Sequence, residues 1–421
     1  MFTLLRDRNF RLLWLGQLCS QSGDRLTQLV LVALVAQRSA GSASALSMAG
    51  VMAATSVPAL VVNPFAGAFV DRWDRRRTMI ACDLVRAAAI LALPWLAAAR
   101  SPHPLYAGIF VVFAVAGFFV PARLAIIPDL VPADQLAKAN TLFTTSGMIG
   151  STVILLAGAL LVEWVGAARA AFVVAATYAA SALFIVPLGG RIKSVPGTGT
   201  VPGTGLESGE SASRILVEVA EGFRELWRNP STRRVMAIIA ALMGGAGATM
   251  VVGAVLVQKS LHTVTKDLGF LSLWLGVGML LGTLAHGRWG TRVRKRAVMG
   301  VCFIGCGLAL GAFTAGVAGM GSAVAASFAA AGMGVCVAPV SIVTNTLVHE
   351  AHPERLHGRI FSSLGVVVNL SLIGAMLAAG WLAEWWGEEA FLAALAGCFA
   401  TAGIALLYYG HGKRNRHDHG S

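Results

Sequence analysis

Long apolar runs, each near the length that crosses a bilayer, alternate with short polar punctuation along almost the whole chain. Twelve such runs fall at roughly 11–36, 45–70, 78–99, 104–121, 139–162, 170–189, 234–258, 267–286, 297–316, 320–346, 360–383 and 389–409. A helix needs about 20 apolar residues to span the hydrocarbon core. The pattern predicts an all-α membrane protein of twelve transmembrane helices. One interruption, 190–233, is longer than the rest. It carries "SVPGTGTVPGTGLESGES", which has little to bury and reads as a linker. It closes with "RILVEVAEGFRELWRNP", where Ile215, Val219, Phe223 and Leu226 or Trp227 recur at helical spacing, predicting an amphipathic helix on the membrane surface or under the bundle. The chain divides accordingly into an N-terminal half (1–189), the linker (190–233), a C-terminal half (234–410) and a tail (411–421).

The two halves echo each other. "DRW" at Asp71–Trp73 answers "GRW" at Gly287–Trp289, at an offset of 216. Pro121 answers Pro339 at an offset of 218, and "VPADQL" near 131–136 answers "HPERL" at 352–356. Repeated six-helix halves are a transporter architecture, with the substrate site between them near the bilayer midplane.

Composition agrees. Hydrophobic residues make up 56% of the chain and charged residues 13%, against about 25% charged in soluble domains. The net charge of +13 would suggest nucleic acid in a soluble protein. Here the basic residues follow the loops. With the N-terminus inside, cytoplasmic segments hold 26 Lys and Arg and outer loops hold 5. That bias predicts both termini on the cytoplasmic side of the plasma membrane. The first run continues past signal-peptide length and contains Asp24 and Arg25, so it reads as a retained span. The six cysteines all lie within apolar runs, which argues against a disulfide framework. Cys302 and Cys306 sit one turn apart with no His or acid beside them, so no metal is expected. "HEAHPE" at 349–354 resembles a zinc-protease motif, but Pro353 stands where the second His is needed. Neither GxxxxGK[ST] nor GxSxG occurs. Neither an enzyme activity nor a cofactor is expected.

The first run has the most informative polar pattern. Gln17, Gln21, Asp24 and Gln28 are spaced i, i+4, i+7, i+11 and fall within about 60° of one another on a helix. Amides and a carboxylate avoid lipid, so this stripe should line the central cavity. Asp24 lies about 20 Å into its helix at 1.5 Å per residue, near mid-bilayer. Three roles stay open for it: carrying the coupling proton, serving as a strut paired with an arginine from another helix, or binding substrate. Arg25 is turned about 100° away, cannot pair with Asp24, and needs a partner elsewhere. Asn345 and Asn369, with Thr344, either contact substrate or hydrogen-bond between helices. Phe113, Phe118, Phe119 and Trp274 form either an aromatic wall or ordinary packing. Gly278 and Gly282, and Gly307 and Gly311, predict close helix crossings.

Five stretches carry a family resemblance: "FRLLWLGQLCSQSGDRL", "GAFVDRWDRRR", "PARLAIIPDLVPADQLAKAN", "EGFRELWRNPSTRR" and "HGRIFS". The chain resembles the major facilitator superfamily, in the bacterial branch of macrolide-type drug exporters and siderophore exporters. Two departures stand out. Asp74 occupies a loop position that is usually Gly, and the fifth span has Gly147, Gly150 and Gly158 but no proline. The resemblance implies an inner-gate latch between the second and third spans. Gly67 would admit a neighbouring helix, and Asp71 would face the N-terminus of the eleventh helix. Arg72, Arg75 and Arg76 would pair with nearby acids, with Asp83 a candidate local partner. Alternatively, the arginines only set topology. The implied function is a monomeric secondary transporter working by alternating access. It would export a small, partly lipophilic compound, drug- or siderophore-like, in exchange for protons, in contact with membrane lipids. Two alternatives stand: a lipid or lysolipid transporter or importer on the same fold, and a non-transporting membrane receptor or scaffold. A cavity acid costs roughly 2.5–3.5 kcal/mol to insert, which favours transport.

Overall fold

The computed structural model describes residues 4–38, 44–70, 73–132, 135–189, 230–261, 265–290, 293–351 and 357–411. The linker and its amphipathic segment lie outside the described residues. Thirteen α-helices follow one another: α1 (Arg8–Arg38), α2 (Ala45–Val61), α3 (Asn63–Val70), α4 (Arg75–Ala98), α5 (His103–Leu130), α6 (Leu136–Val165), α7 (Ala167–Ile185), α8 (Pro230–Leu261), α9 (Lys266–Trp289), α10 (Lys295–Thr314), α11 (Ala323–Ala351), α12 (His357–Trp386) and α13 (Glu388–His411). No strand occurs among them. Nine described helices are long and apolar enough to cross a membrane. The charged α1 is not one of the nine, and α2 is a shorter apolar helix.

Local chemistry explains the boundaries. The run 45–70 is broken at Val62, immediately before α3, which carries Pro64 in its first turn. Asp74 N-caps α4 by accepting from Arg77 N at 2.7 Å. The departure from glycine thus supplies a helix cap. Gly166 (φ 80°) and Gly387 (φ 82°) make the abrupt turns from α6 to α7 and from α12 to α13, a conformation that costs glycine least. A π-helical turn, Ala315–Gly319, ends α10.

Glycine seams set the packing. In α9, a Cβ at Gly278 or Gly282 would run into the backbone of α11 at Ala331 or Val335. In α10, a Cβ at Gly307 would lie 2.6 Å from Ala396 O of α13. Both predicted crossings are present. Gly147, Gly150 and Gly158 of α6 face Gln21, Leu18 and Leu26 of α1, so this helix packs closely against α1 without a proline.

Between the halves, α2 packs on α12 and α6 on α9. One buried cluster runs through both, from Val30, Val35 and Met48 to Val251, Val255, Phe313 and Met376. It occupies the end of the bundle farthest from the two termini. Toward the terminal end the buried clusters are separate: one in the N-terminal half around Phe10, Met79 and Ile126, and two in the C-terminal half around Met236 and Phe303. The bundle is therefore sealed between its halves at the far end.

Candidate functional site: a shared buried arginine

The polar stripe of α1 meets a charged cluster from α4 and α7. Arg86, one of two arginines within the apolar runs of the N-terminal half, is 1% exposed. Its Nη1 donates to Asp24 Oδ1 at 2.9 Å. Its Nη2 donates to Ser20 Oγ at 2.8 Å and forms a very short ion pair with Asp83, one turn earlier on α4. The guanidinium lies over the rings of Tyr178 (4.5 Å) and Phe119 (4.9 Å), which adds cation–π attraction in a desolvated setting. Tyr178 OH donates to Asp24 Oδ1 at 2.8 Å and lies 3.2 Å from Thr27 Oγ1. Gly23 lets the Tyr178 ring lie against α1; a Cβ there would sit 2.7 Å from the ring.

The two carboxylates differ. Asp83 is fully buried, whereas the Asp24 side chain keeps 39% of its surface exposed. A lone buried arginine in a membrane protein is costly unless paired. Here one cation is shared by two anions. If Asp24 takes up a proton, Arg86 still has Asp83, and the cluster holds one charge of each sign.

The stripe continues on both sides of Asp24. Gln17 is buried and Gln21 packs over Gly147; the Oε1 of each accepts no hydrogen bond from a described residue. Gln28 is half-buried. Arg25 is exposed, and it makes no ion pair with a described residue. The partner expected for it on another helix does not appear. The arginine that meets the α1 stripe from another helix is Arg86. Asp83 and Arg86, three residues apart inside one apolar run, were the available signal.

Asp83 also requires a correction. Among the described residues it pairs with Arg86 and Ser20, not with Arg75, Arg76 or Arg77. Five residues into α4, it already lies inside the bundle. Arg75 instead pairs with Asp129 at 3.2 Å and donates to Ala125 O at 2.9 Å. Arg76 donates to Val186 O. Asp71, Arg72 and the surroundings of Gly67 and Asn345 lie outside what is described. Asn369 Nδ2 donates to Gly365 O of its own helix at 2.9 Å, and Thr344 likewise bonds Val340 O. The aromatic residues are dispersed. Phe118 stacks on Trp73, Phe119 on Arg86, Trp274 meets Phe328, and Phe113 packs on the main cluster. No group of three metal-binding side chains occurs among the described residues.

A family model for the Major Facilitator Superfamily matches residues 13–271 and 235–420. The chain belongs to the Major Facilitator Superfamily. Among similar proteins is the multidrug efflux pump Tap of Mycolicibacterium fortuitum, 26% identical over 94% of both chains. Another is the macrolide efflux protein A of Streptococcus pyogenes, 25% identical over 88% of both. A putative bacilysin exporter, BacE of Bacillus subtilis, is 28% identical over 78% of both. Among solved structures, the nucleoside transporter NupG superposes with a TM-score of 0.73 at 14% identity, covering 95% of this chain and 97% of that one. A bacterial homologue of ferroportin in an inward-facing state gives 0.72 at 13% identity, covering 95% and 98%. The fold is that of this superfamily's transporters. The chain is a multi-pass membrane transporter and not an enzyme.

Proposed function

We propose that the protein exports a small, partly lipophilic compound in exchange for protons by alternating access, with Asp24 as the proton site. On this reading the chain crosses the plasma membrane twelve times, counting α2 and α3 as one span, with both termini cytoplasmic. The similarity to drug and antibiotic exporters supports the direction and the class of cargo. The single observation that carries the proton role is the asymmetry of the shared arginine. Asp24 reaches open space on the polar stripe, while Asp83 stays buried to balance Arg86 when Asp24 is neutral.

The same contacts support the strut reading in part, because Asp24 is bonded to an arginine of another helix. A strut alone would gain nothing from being 39% exposed or from a second, fully buried acid on the same cation. Inverted vesicles test the choice. Accumulation of a fluorescent drug should require an imposed pH gradient in the wild type and be lost in Asp24→Asn even with the gradient imposed. Gradient-independent movement by the wild type would exclude proton coupling.

A further inference from the structure

The far-end seal has a second layer. Two short sequences recur where α6 and α12 end: "VEWVG" at Val162–Gly166 and "AEWWG" at Ala383–Gly387. Each closes on a glycine of positive φ, and each helix is the fifth span of its half. Both glutamates reach across to the other half. Glu163 Oε2 accepts from Thr265 N at 3.1 Å and from Thr265 Oγ1 at 3.4 Å. Thr265 is the N-cap residue of α9, and its hydroxyl also bonds Ala159 O at 3.0 Å. Glu384 Oε1 accepts from Leu46 N, in the first turn of α2, at 3.4 Å. Helices α9 and α2 are the second spans of their halves. Each fifth span therefore directs a carboxylate at the N-terminus of the other half's second span, where unpaired N–H groups and the helix dipole favour negative charge.

A glycine beside each contact brings the helices together. Gly269 of α9 leaves no room for a Cβ against Ala159, one turn before Glu163. Gly380, one turn before Glu384, would place a Cβ 2.6 Å from Ala49 and 2.8 Å from Ala45 O. The adjoining tryptophans, Trp164 and Trp385, are 81% and 75% exposed, as aromatic anchors at a membrane–water interface are. Both glutamates are themselves exposed. Such contacts are weak enough to break and re-form in every cycle.

We propose that Glu163 and Glu384 are paired latches that hold the far-end gate shut, so that opening this end requires both carboxylates to leave the opposing helix N-termini. They are positioning residues for the conformational step and touch no substrate. The inference rests on the alternating-access reading above, though not on which end faces the cytoplasm.

The test uses the full chain in nanodiscs, with spin labels at positions 100 and 320, on opposite halves at the far end. A longer-distance population in the wild type marks the open far end. Glu163→Ala and Glu384→Ala should each enlarge that population, by roughly two- to five-fold for loss of one carboxylate–dipole contact. The double variant should enlarge it further, with its melting temperature close to wild type. If the long-distance population exists but neither variant changes it, the latch is wrong, whatever happens to the melting temperature. If no variant and no pH gradient yields a second population, alternating access fails and the latch fails with it.

Discussion

Asp24 and Arg86 share a 2.9 Å hydrogen bond across α1 and α4, yet one partner is sealed and the other is not: 1% of the arginine side chain is exposed against 39% of the aspartate. On the proposed reading this asymmetry separates a proton site from a simple strut. The arginine is fixed by Asp83, Ser20 and two aromatic faces. The aspartate keeps one side open.

The first prediction follows from that asymmetry. Asp24→Asn should fold with a melting temperature within a few degrees of wild type, because Arg86 keeps Asp83. It should still bind a transported dye but fail to concentrate it under a pH gradient. Normal uphill transport by the variant would remove Asp24 from the coupling step.

Arg86→Ala should behave oppositely. It strands two carboxylates against apolar helices and removes the cation from between Tyr178 and Phe119. Breaking a buried pair by deleting one partner costs roughly 3–5 kcal/mol. Thermal unfolding in detergent should therefore show a much larger loss than in Asp24→Asn. Asp83→Asn should fall between the two. Equal melting temperatures for all three would mean that Arg86 is not the centre of the cluster.

The contrast explains what could be read in advance. Span positions and the α1 stripe follow from spacing within one helix, and the division into halves from motifs repeated at a near-constant offset, both of which the chain states directly. The glycines of α9 and α10 were legible for the same reason, since close crossings need small residues. The arginine that meets Asp24 was not, because the meeting depends on the rotation of α4 about its axis relative to α1. Asp83 was assigned to the loop by its distance along the chain. In space, one further turn of helix carries it into the bundle. Glu163 and Glu384 were missed because a carboxylate near a helix end looks like ordinary surface until the other half is in place.

Arg25 gives a prediction about selectivity. It is exposed, next to the stripe, and has no anionic partner among the described residues. The prediction takes Arg25 to border the cavity from beside the stripe, because a charge at this depth avoids lipid. Arg25→Ala should leave the melting temperature nearly unchanged and reduce transport of anionic or zwitterionic compounds more than that of cationic dyes. A competition assay with one dye of each charge, on the same vesicles, measures the ratio. An unchanged ratio would show that Arg25 meets no charged part of the cargo.

The cap on α4 offers the smallest and cleanest change. Asp74 accepts from Arg77 N at 2.7 Å and caps the first turn of α4. Replacing an N-cap aspartate by alanine costs about 0.5–2 kcal/mol, and by glycine only a few tenths. Asp74→Ala should therefore lower the melting temperature measurably, while Asp74→Gly should lie close to wild type. Both should retain transport, because the side chain caps a helix and reaches neither Asp24 nor the far-end seam. If the glycine variant instead lost transport while melting normally, Asp74 would have a role in gating beyond the cap, and the 71–77 loop would have to be reconsidered as part of the moving gate.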